Sequence, residues 1–269
     1  MPYTISSLGK HEFSHRLKII FLLGFLIGIH ETGHFLIAKL CKVRVNEFAI
    51  GFGPVIWKKQ GKETKYELRL IPLGGFVNME GEAEQSEKEG SFTKASIPRR
   101  IAIVAAGALV NIIFAIIVYF ILAMTVRGNI TNAVVGNRVL DADDFGNRLY
   151  FASYNTKEFM LSIAESVKQL FTGKVSSAEL VGPVGISEVV AKTNGFREFI
   201  YILAAISISL GVTNLLPFPP LDGGKIVLIL LEAIRRKPLK QETEIKIQLA
   251  GFAVLMAVSI VVTYHDIIR

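Results

Sequence analysis

His30, Glu31, Thr32, Gly33 and His34 read H-E-x-x-H. On an α-helix, residues four apart share a face, so His30 and His34 can offer two imidazoles to one metal ion. Glu31 points about 100° away, where a carboxylate can reach a water held by that metal. A second chemical feature lies far along the chain, in Asn214–Gly224, NLLPFPPLDGG. Its three prolines break a helix, and Gly223-Gly224 lets the backbone approach another element closely. A catalytic zinc takes three protein ligands and leaves a position for water. His11 and His15 precede the first apolar run and His265 lies near the end of the last, so the third ligand is expected to be a carboxylate, and Asp222 is the candidate. Taken singly, an H-E-x-x-H is a chance match, an L-D-G-G is a turn and the aspartate is a cap. Together in one chain, both at membrane spans, they point to a metal centre that activates water.

The elements that must carry these residues are apolar. The 269 residues are 51% hydrophobic, with a mean hydropathy of +0.45. Uninterrupted apolar stretches occur at Leu17–Leu40, Ile101–Val126, Phe196–Phe218 and Leu249–Thr263. The first three can cross about 30 Å of hydrocarbon, and the fourth does so if its flanks join, over Ile245–Ile268. Ile226–Ile234 is too short to span alone. The H-E-x-x-H lies inside the first run. An ionised side chain at the centre of a spanning helix costs roughly 2.5–3.5 kcal/mol, so such residues are functional candidates.

The net charge of +7 does not point to nucleic acid, because the bases cluster in loops beside the apolar runs. Lys42–Arg100 and Arg235–Lys246 are therefore expected in the cytoplasm, and both termini outside. Lys10, Arg16 and Lys18 argue the other way. Cys41 is the single cysteine, which excludes an intrachain disulfide and a cysteine-based zinc site. The first run is too long for a signal peptide and lacks a small-x-small cleavage site, so it reads as retained.

Between the first two spans the period changes. Tyr66, Leu68 and Leu70 alternate with Glu67 and Arg69, Asn46–Trp57 is aromatic and β-branched, and Lys58–Thr64 is a turn signal. A β-hairpin or small sheet is expected over 45–80, either an ordinary cytoplasmic hairpin or one whose apolar ends dip into the membrane. Gly81–Ser96 reads as a mobile, charged cytoplasmic loop. In the second span Gly107 and Asn111 share a face, and Asn111 is either interhelical glue or a residue near the site. Arg127–Asn155 is polar and too small for a domain of its own. Thr156–Phe171 is an amphipathic helix, lying on the outer membrane surface or packed on a neighbouring element. Ser176–Val190 reads as a loop and a short helix. The expected fold is an all-α membrane core of four transmembrane helices with a membrane-associated β-hairpin or small sheet between the first two. Residues 1–16 form a lead, 17–126 the first two spans, 127–195 an extracytoplasmic segment and 196–269 the last two spans.

On these motifs the chain resembles the site-2 protease family of intramembrane zinc metalloproteases, and most closely its bacterial regulator-of-sigma-E protease branch. The H-E-x-G-H helix is matched at His30, Glu31, Gly33 and His34. Ile71–Val77 resembles the branch's membrane-associated β region. Thr172–Lys174 with Leu180–Ile186 resembles its segment before the third span. Asn214, Pro217, Pro219, Leu221, Asp222 and Gly223 match N-x-x-P-x-P-x-L-D-G. The family's Gly-Pro-x-x-Asn is here Gly107-Ala108-Leu109-Val110-Asn111, with Asn111 in register. The branch carries PDZ domains between its second and third spans. Arg127–Asn155 is too short to hold one, so no size-filter or peptide-sensing role is carried over.

The expected activity is therefore a zinc endopeptidase in the bacterial inner membrane. Zn2+ would be held by His30, His34 and Asp222, with Glu31 as general base. Asn214, Gly74, Gly75 and Asn111 are expected to contact substrate, and the resemblance implies that role for Asn214, whose plainer role is a helix cap. The resemblance also implies transmembrane anti-sigma factors and leftover signal peptides as substrates, in a lipid bilayer, with no nucleic-acid partner. The rivals are a metal-ion transporter, which would repeat its ligands over several spans, and a non-catalytic zinc-binding scaffold, which would not need Glu31.

Overall fold

A computed structural model describes residues 5–84, 86–125, 134–135, 138–139, 143–172, 183–193 and 195–268. The elements run α1 (Ile5–Leu40), β1 (Val45–Gln60), β2 (Lys65–Met79), α2 (Ile97–Met124), β3 (Val134–Val135), β4 (Arg138–Val139), α3 (Phe145–Thr172), α4 (Pro183–Ala191), α5 (Phe196–Asn214), α6 (Asp222–Arg235) and α7 (Gln241–Ile268). Among the described residues four helices are long and apolar enough to cross a membrane: Leu17–Leu40 of α1, and α2, α5 and α7. The expected fold class holds: a mostly helical protein with four candidate spans and a small antiparallel sheet between the first two. The polar lead is helical from Ile5 and continuous with the first span, since no proline interrupts it.

One unit comprises Met1–Asn111, Gly182–Lys192 and Leu210–Arg269. In it, α1 stops where Lys42 takes a left-handed φ of 61° and Val43 N–H donates to Ala38 O at 2.8 Å. The chain then turns into β1. β1 and β2 pair antiparallel, and both strands are bent. Glu47–Ile50 consequently has partners on both sides, Gly75–Asn78 along one edge and Lys65–Leu68 along the other. β2 bends at Gly74, whose φ of 144° and contact with the Phe52 ring leave no room for a side chain. Phe35 of α1 packs edge-on against Phe48 and Tyr66, which fastens the sheet to the helix. Phe52, Ile56, Trp57, Leu70 and Ile71 are exposed, an apolar surface of the kind that marks an interaction or membrane-contact site.

Below the sheet, Ala38, Val43, Val45, Met79, Phe92, Ile103, Val104 and Ile229 form a buried cluster. Phe92 belongs to the segment Gly81–Ser96, which was expected to be a mobile loop. The segment is instead pinned. Phe92 is buried, with the Arg100 and Lys225 cations 5.1 and 5.3 Å from its ring centre. Phe92 N–H donates to Glu80 O (2.7 Å), Thr93 Oγ1 to Gly81 O (2.6 Å), and Arg44 N–H to Gly90 O (2.8 Å). One aromatic anchor with satisfied backbone outweighs the surrounding charges. Glu232 of α6 ties the start of α2 to the segment after α6 by accepting from Arg100 Nη1 (2.7 Å) and Leu239 N–H (2.9 Å).

The second unit comprises Ile112–Val181 and Thr193–Ser209. Tyr119 stacks on Phe159 of α3 with ring centres 4.2 Å apart, and Arg197 Nη2 donates to Leu122 O at 3.0 Å. α3 starts eleven residues before the amphipathic stretch that marks it in the sequence. Asp144 caps this start by accepting from Asn147 N–H at 2.8 Å. The calls on 173–182, and on 126–142 apart from β3 and β4, lie outside the described residues.

Candidate metal centre

The metal helix owes its position to small residues. Gly33 of α1 faces α2 so closely that a Cβ there would meet Ala106 O at 2.7 Å and Gly107 Cα at 3.0 Å. From the other side, a Cβ on Gly107 would fall 2.8 Å from both Cε1 and Nε2 of His30, and nearer still to Nε2 of His34. The two glycines let the helices touch and leave a recess that the imidazoles fill. His30 and His34 lie edge to face, with ring centres 4.7 Å apart.

Asp222 arrives from the opposite end of the sequence as the first residue of α6. α5 ends at Asn214, the prolines of 217–220 carry the chain through a tight turn, and Leu221 is extended at φ −67°, ψ 160° before the helix begins. Gly223 and Gly224 are buried against the backbone of Leu215–Pro219, which folds the turn back over the start of α6.

The three donors converge. His30 Nε2 and His34 Nε2 are 3.1 Å apart, and Asp222 Oδ2 lies 3.3 and 3.5 Å from them. A tetrahedral zinc with bonds of about 2.0–2.1 Å has ligand-to-ligand edges of about 3.3 Å. The triangle therefore fits a zinc ion, and two imidazole nitrogens with one carboxylate are a suitable donor set. Asp222 Oδ2 is buried and accepts no hydrogen bond among the described residues, which is costly for a carboxylate oxygen unless an ion or proton serves it. His34 Nδ1 lies 2.8 Å from Ile103 O. A proton on Nδ1 makes that bond and leaves the Nε2 lone pair facing the other two donors.

These groups line a cavity of about 260 Å3. Glu31 borders it, and Gly75 of β2 backs onto the Glu31 side chain, so that a Cβ at Gly75 would meet Glu31 Cγ at 2.9 Å. Of the residues expected to bind substrate, Gly75 lines the cavity. Gly74 is the bend next to it. Asn111 is fully buried in α2 one turn beyond Gly107, and Asn214 is half-buried at the end of α5; neither is among the cavity's lining residues. The Asn214 side chain makes no hydrogen bond among the described residues, so it is not a hydrogen-bonding cap. Three polar lining residues carried no signal in the sequence reading: Glu82 and Lys225, which form an ion pair, and Gln248 of α7. Lys225 lies three residues after Asp222 on the same helix, a spacing that could have marked it.

Over residues 18–258 the chain matches the family model described as Peptidase family M50. It is 31% identical to a protein of Clostridium acetobutylicum provisionally named a zinc metalloprotease, with 96% of this chain and 98% of that protein covered. Similarly named proteins of Clostridium perfringens and Fusobacterium nucleatum are 30% and 29% identical, over 94% and 93% of this chain and 99% and 98% of theirs. The first alignment spans 333 positions against the 269 residues here, so that relative carries residues with no counterpart in this chain. A match over most of the sequence, four candidate spans and a His-His-Asp group that suits the family's zinc lead to one assignment: the chain belongs to peptidase family M50, the site-2 proteases, and is a multi-pass membrane zinc metalloprotease.

Proposed function

We propose that this protein is an intramembrane endopeptidase of the bacterial inner membrane, with both termini extracytoplasmic, that cuts the transmembrane segments of single-span proteins. His30, His34 and Asp222 hold the zinc, and Glu31 is the general base. The observation that carries this reading is the triangle of 3.1, 3.3 and 3.5 Å between the three donor atoms, with a glutamate bordering the same cavity. When bound, Zn2+ supplies the Lewis acidity that lowers the pKa of a water toward about 7 and polarises a peptide carbonyl.

The chain's own groups do the rest. Glu31 takes a proton from the water and delivers it to the leaving amine nitrogen. The Gly75 backbone behind Glu31 limits the positions its carboxylate can take. The hydrogen bond from His34 Nδ1 to Ile103 O fixes that imidazole's tautomer and orientation. Residues Gly75–Asn78 have strand partners on one side only among the described residues, namely Glu47–Ile50. That edge can receive an extended substrate through main-chain hydrogen bonds, which matters because a helical substrate hides its scissile bond. Asn214 contributes a donor and an acceptor to the same extended backbone. The substrates are anti-sigma-factor-like single-span proteins and signal-peptide remnants.

An ion transporter would string ligand groups along a path. Among the described residues one group of three histidine, cysteine or acidic ligands comes together, which favours a single catalytic centre. The test is cleavage of a single-span substrate by purified protein, with and without a zinc chelator. Chelation should abolish cleavage and added Zn2+ restore it; cleavage that survives complete zinc removal would defeat the proposal.

A further inference from the structure

The catalytic cavity continues into a second one of about 530 Å3, and the two share Phe76, Val77, Glu82, Lys225 and Gln248. One wall of this groove is the β2 edge, Phe76–Asn78. The facing wall is the first two turns of α7, from Gln241 to Gln248. The groove thus begins at the reacting centre and runs along the strand edge that has no strand partner on its outer side among the described residues.

Its lining side chains carry three carboxylates, Glu82, Glu84 and Glu244, against one cation, Lys225. Lys225 is neutralised by its ion pair with Glu82. Glu84 and Glu244 also line the groove, and neither has a cation partner among the described residues. Glu244 accepts one hydrogen bond, from Gln248 Nε2 at 3.2 Å. The nearby Lys246 is committed to Glu242, with Nζ 2.6 Å from Oε1. Two carboxylates therefore flank the path that an extended chain would follow away from Glu31.

We infer that this groove is a specificity subsite for lysine and arginine on the cytoplasmic flank of the substrate segment. The inference rests on the endopeptidase reading above and adds to it the chemistry that selects substrates. Single-span proteins carry an excess of lysine and arginine on their cytoplasmic flank. The groove adjoins the Arg235–Lys240 loop, which the same rule assigns to the cytoplasm. A strand laid on the β2 edge beside Glu31 runs along the groove that Glu84 and Glu244 line, where opposite charge favours binding and like charge opposes it.

The test separates binding from cleavage. Glu31→Gln protein is titrated with two peptides that share one apolar segment and differ in the flank, Lys-Lys or Glu-Glu. The Lys-Lys peptide should bind several-fold to about tenfold more tightly at low salt, and the margin should shrink as salt is raised. In Glu84→Lys/Glu244→Lys protein, with thermal stability checked alongside, the order should reverse. Equal binding of the two peptides, or an unchanged ratio in the double variant, would overturn the subsite. Cleavage by the otherwise unaltered protein is measured in parallel. A binding preference without any cleavage keeps the subsite and removes the protease reading, whereas cleavage without a flank preference removes the subsite alone.

Discussion

Gly107 and His30 meet across two helices, at a separation where one added methyl group would stand 2.8 Å from the imidazole nitrogen Nε2. Gly107→Ala should push the ring off its line toward Asp222. Zinc affinity should fall on the order of 10–100-fold, as when the groups supporting a metal ligand are altered. Metal-to-protein ratio after dialysis against a graded zinc buffer is the measurement. Full occupancy at wild-type zinc levels would show that the recess has slack.

Glu31→Gln keeps the side chain's shape and removes its basicity. The expected outcome is normal zinc content with cleavage reduced by about 10²–10⁴-fold. Loss of zinc along with activity would make Glu31 a ligand or a structural support instead of the base.

The Glu80 carboxyl is held at about 2, against an ordinary 4.5, by a hydrogen bond from Ser86 Oγ first, then by Asn46 Nδ2 and Lys88. A depressed carboxyl stabilises the folded segment at pH above 4.5, and this contribution is lost as pH falls through about 2. Carboxyl-carbon NMR should give a Glu80 midpoint near 2, and Ser86→Ala should move it up toward 4.5. A midpoint that ignores Ser86→Ala would remove this bond from the account of how the Gly81–Ser96 segment is pinned.

Lys88 lies in the basic region between the first two spans, which is assigned to the cytoplasm. After Cys41 is replaced, a Lys88→Cys protein should react with an impermeant thiol reagent only when the cytoplasmic side is opened. Labelling from outside in intact cells would invert the topology.

Asn214→Leu tests the substrate clamp. The side chain makes no hydrogen bond among the described residues, so thermal stability and zinc content should hold while cleavage and substrate cross-linking fall. A capping role predicts the opposite order, with roughly 0.5–2 kcal/mol of stability lost first.

Much of this architecture was legible in the residues. The four apolar runs became helices because hydrophobic length is a local property, and the alternation at Tyr66–Leu70 became β2 for the same reason. His30, His34 and Asp222 stood out because ionisable groups are rare at membrane depth. What stayed hidden depends on partners distant in sequence. Gly107 could be singled out for sharing a face with Asn111 and for its place in the family motif, but its packing against the imidazoles could not be read from the sequence. Phe92 looks like an isolated aromatic in a charged loop until Arg100 and Lys225 flank its ring. The ion pair between Glu82 and Lys225 joins positions 143 residues apart, and no local period announces it.

The close approach of Gly33 to Ala106 and Gly107 separates two stages of this protein's biogenesis. Alanine at either glycine makes its helix more hydrophobic and a better helix former, so each span should still enter the bilayer at least as readily. The damage would come afterwards, when α1 and α2 must meet side by side. Such variants should be made at normal levels, sit in the membrane with the correct orientation, and still hold zinc poorly. Quality control that reads hydropathy would pass them, and only a protease or chaperone that senses lateral packing would not.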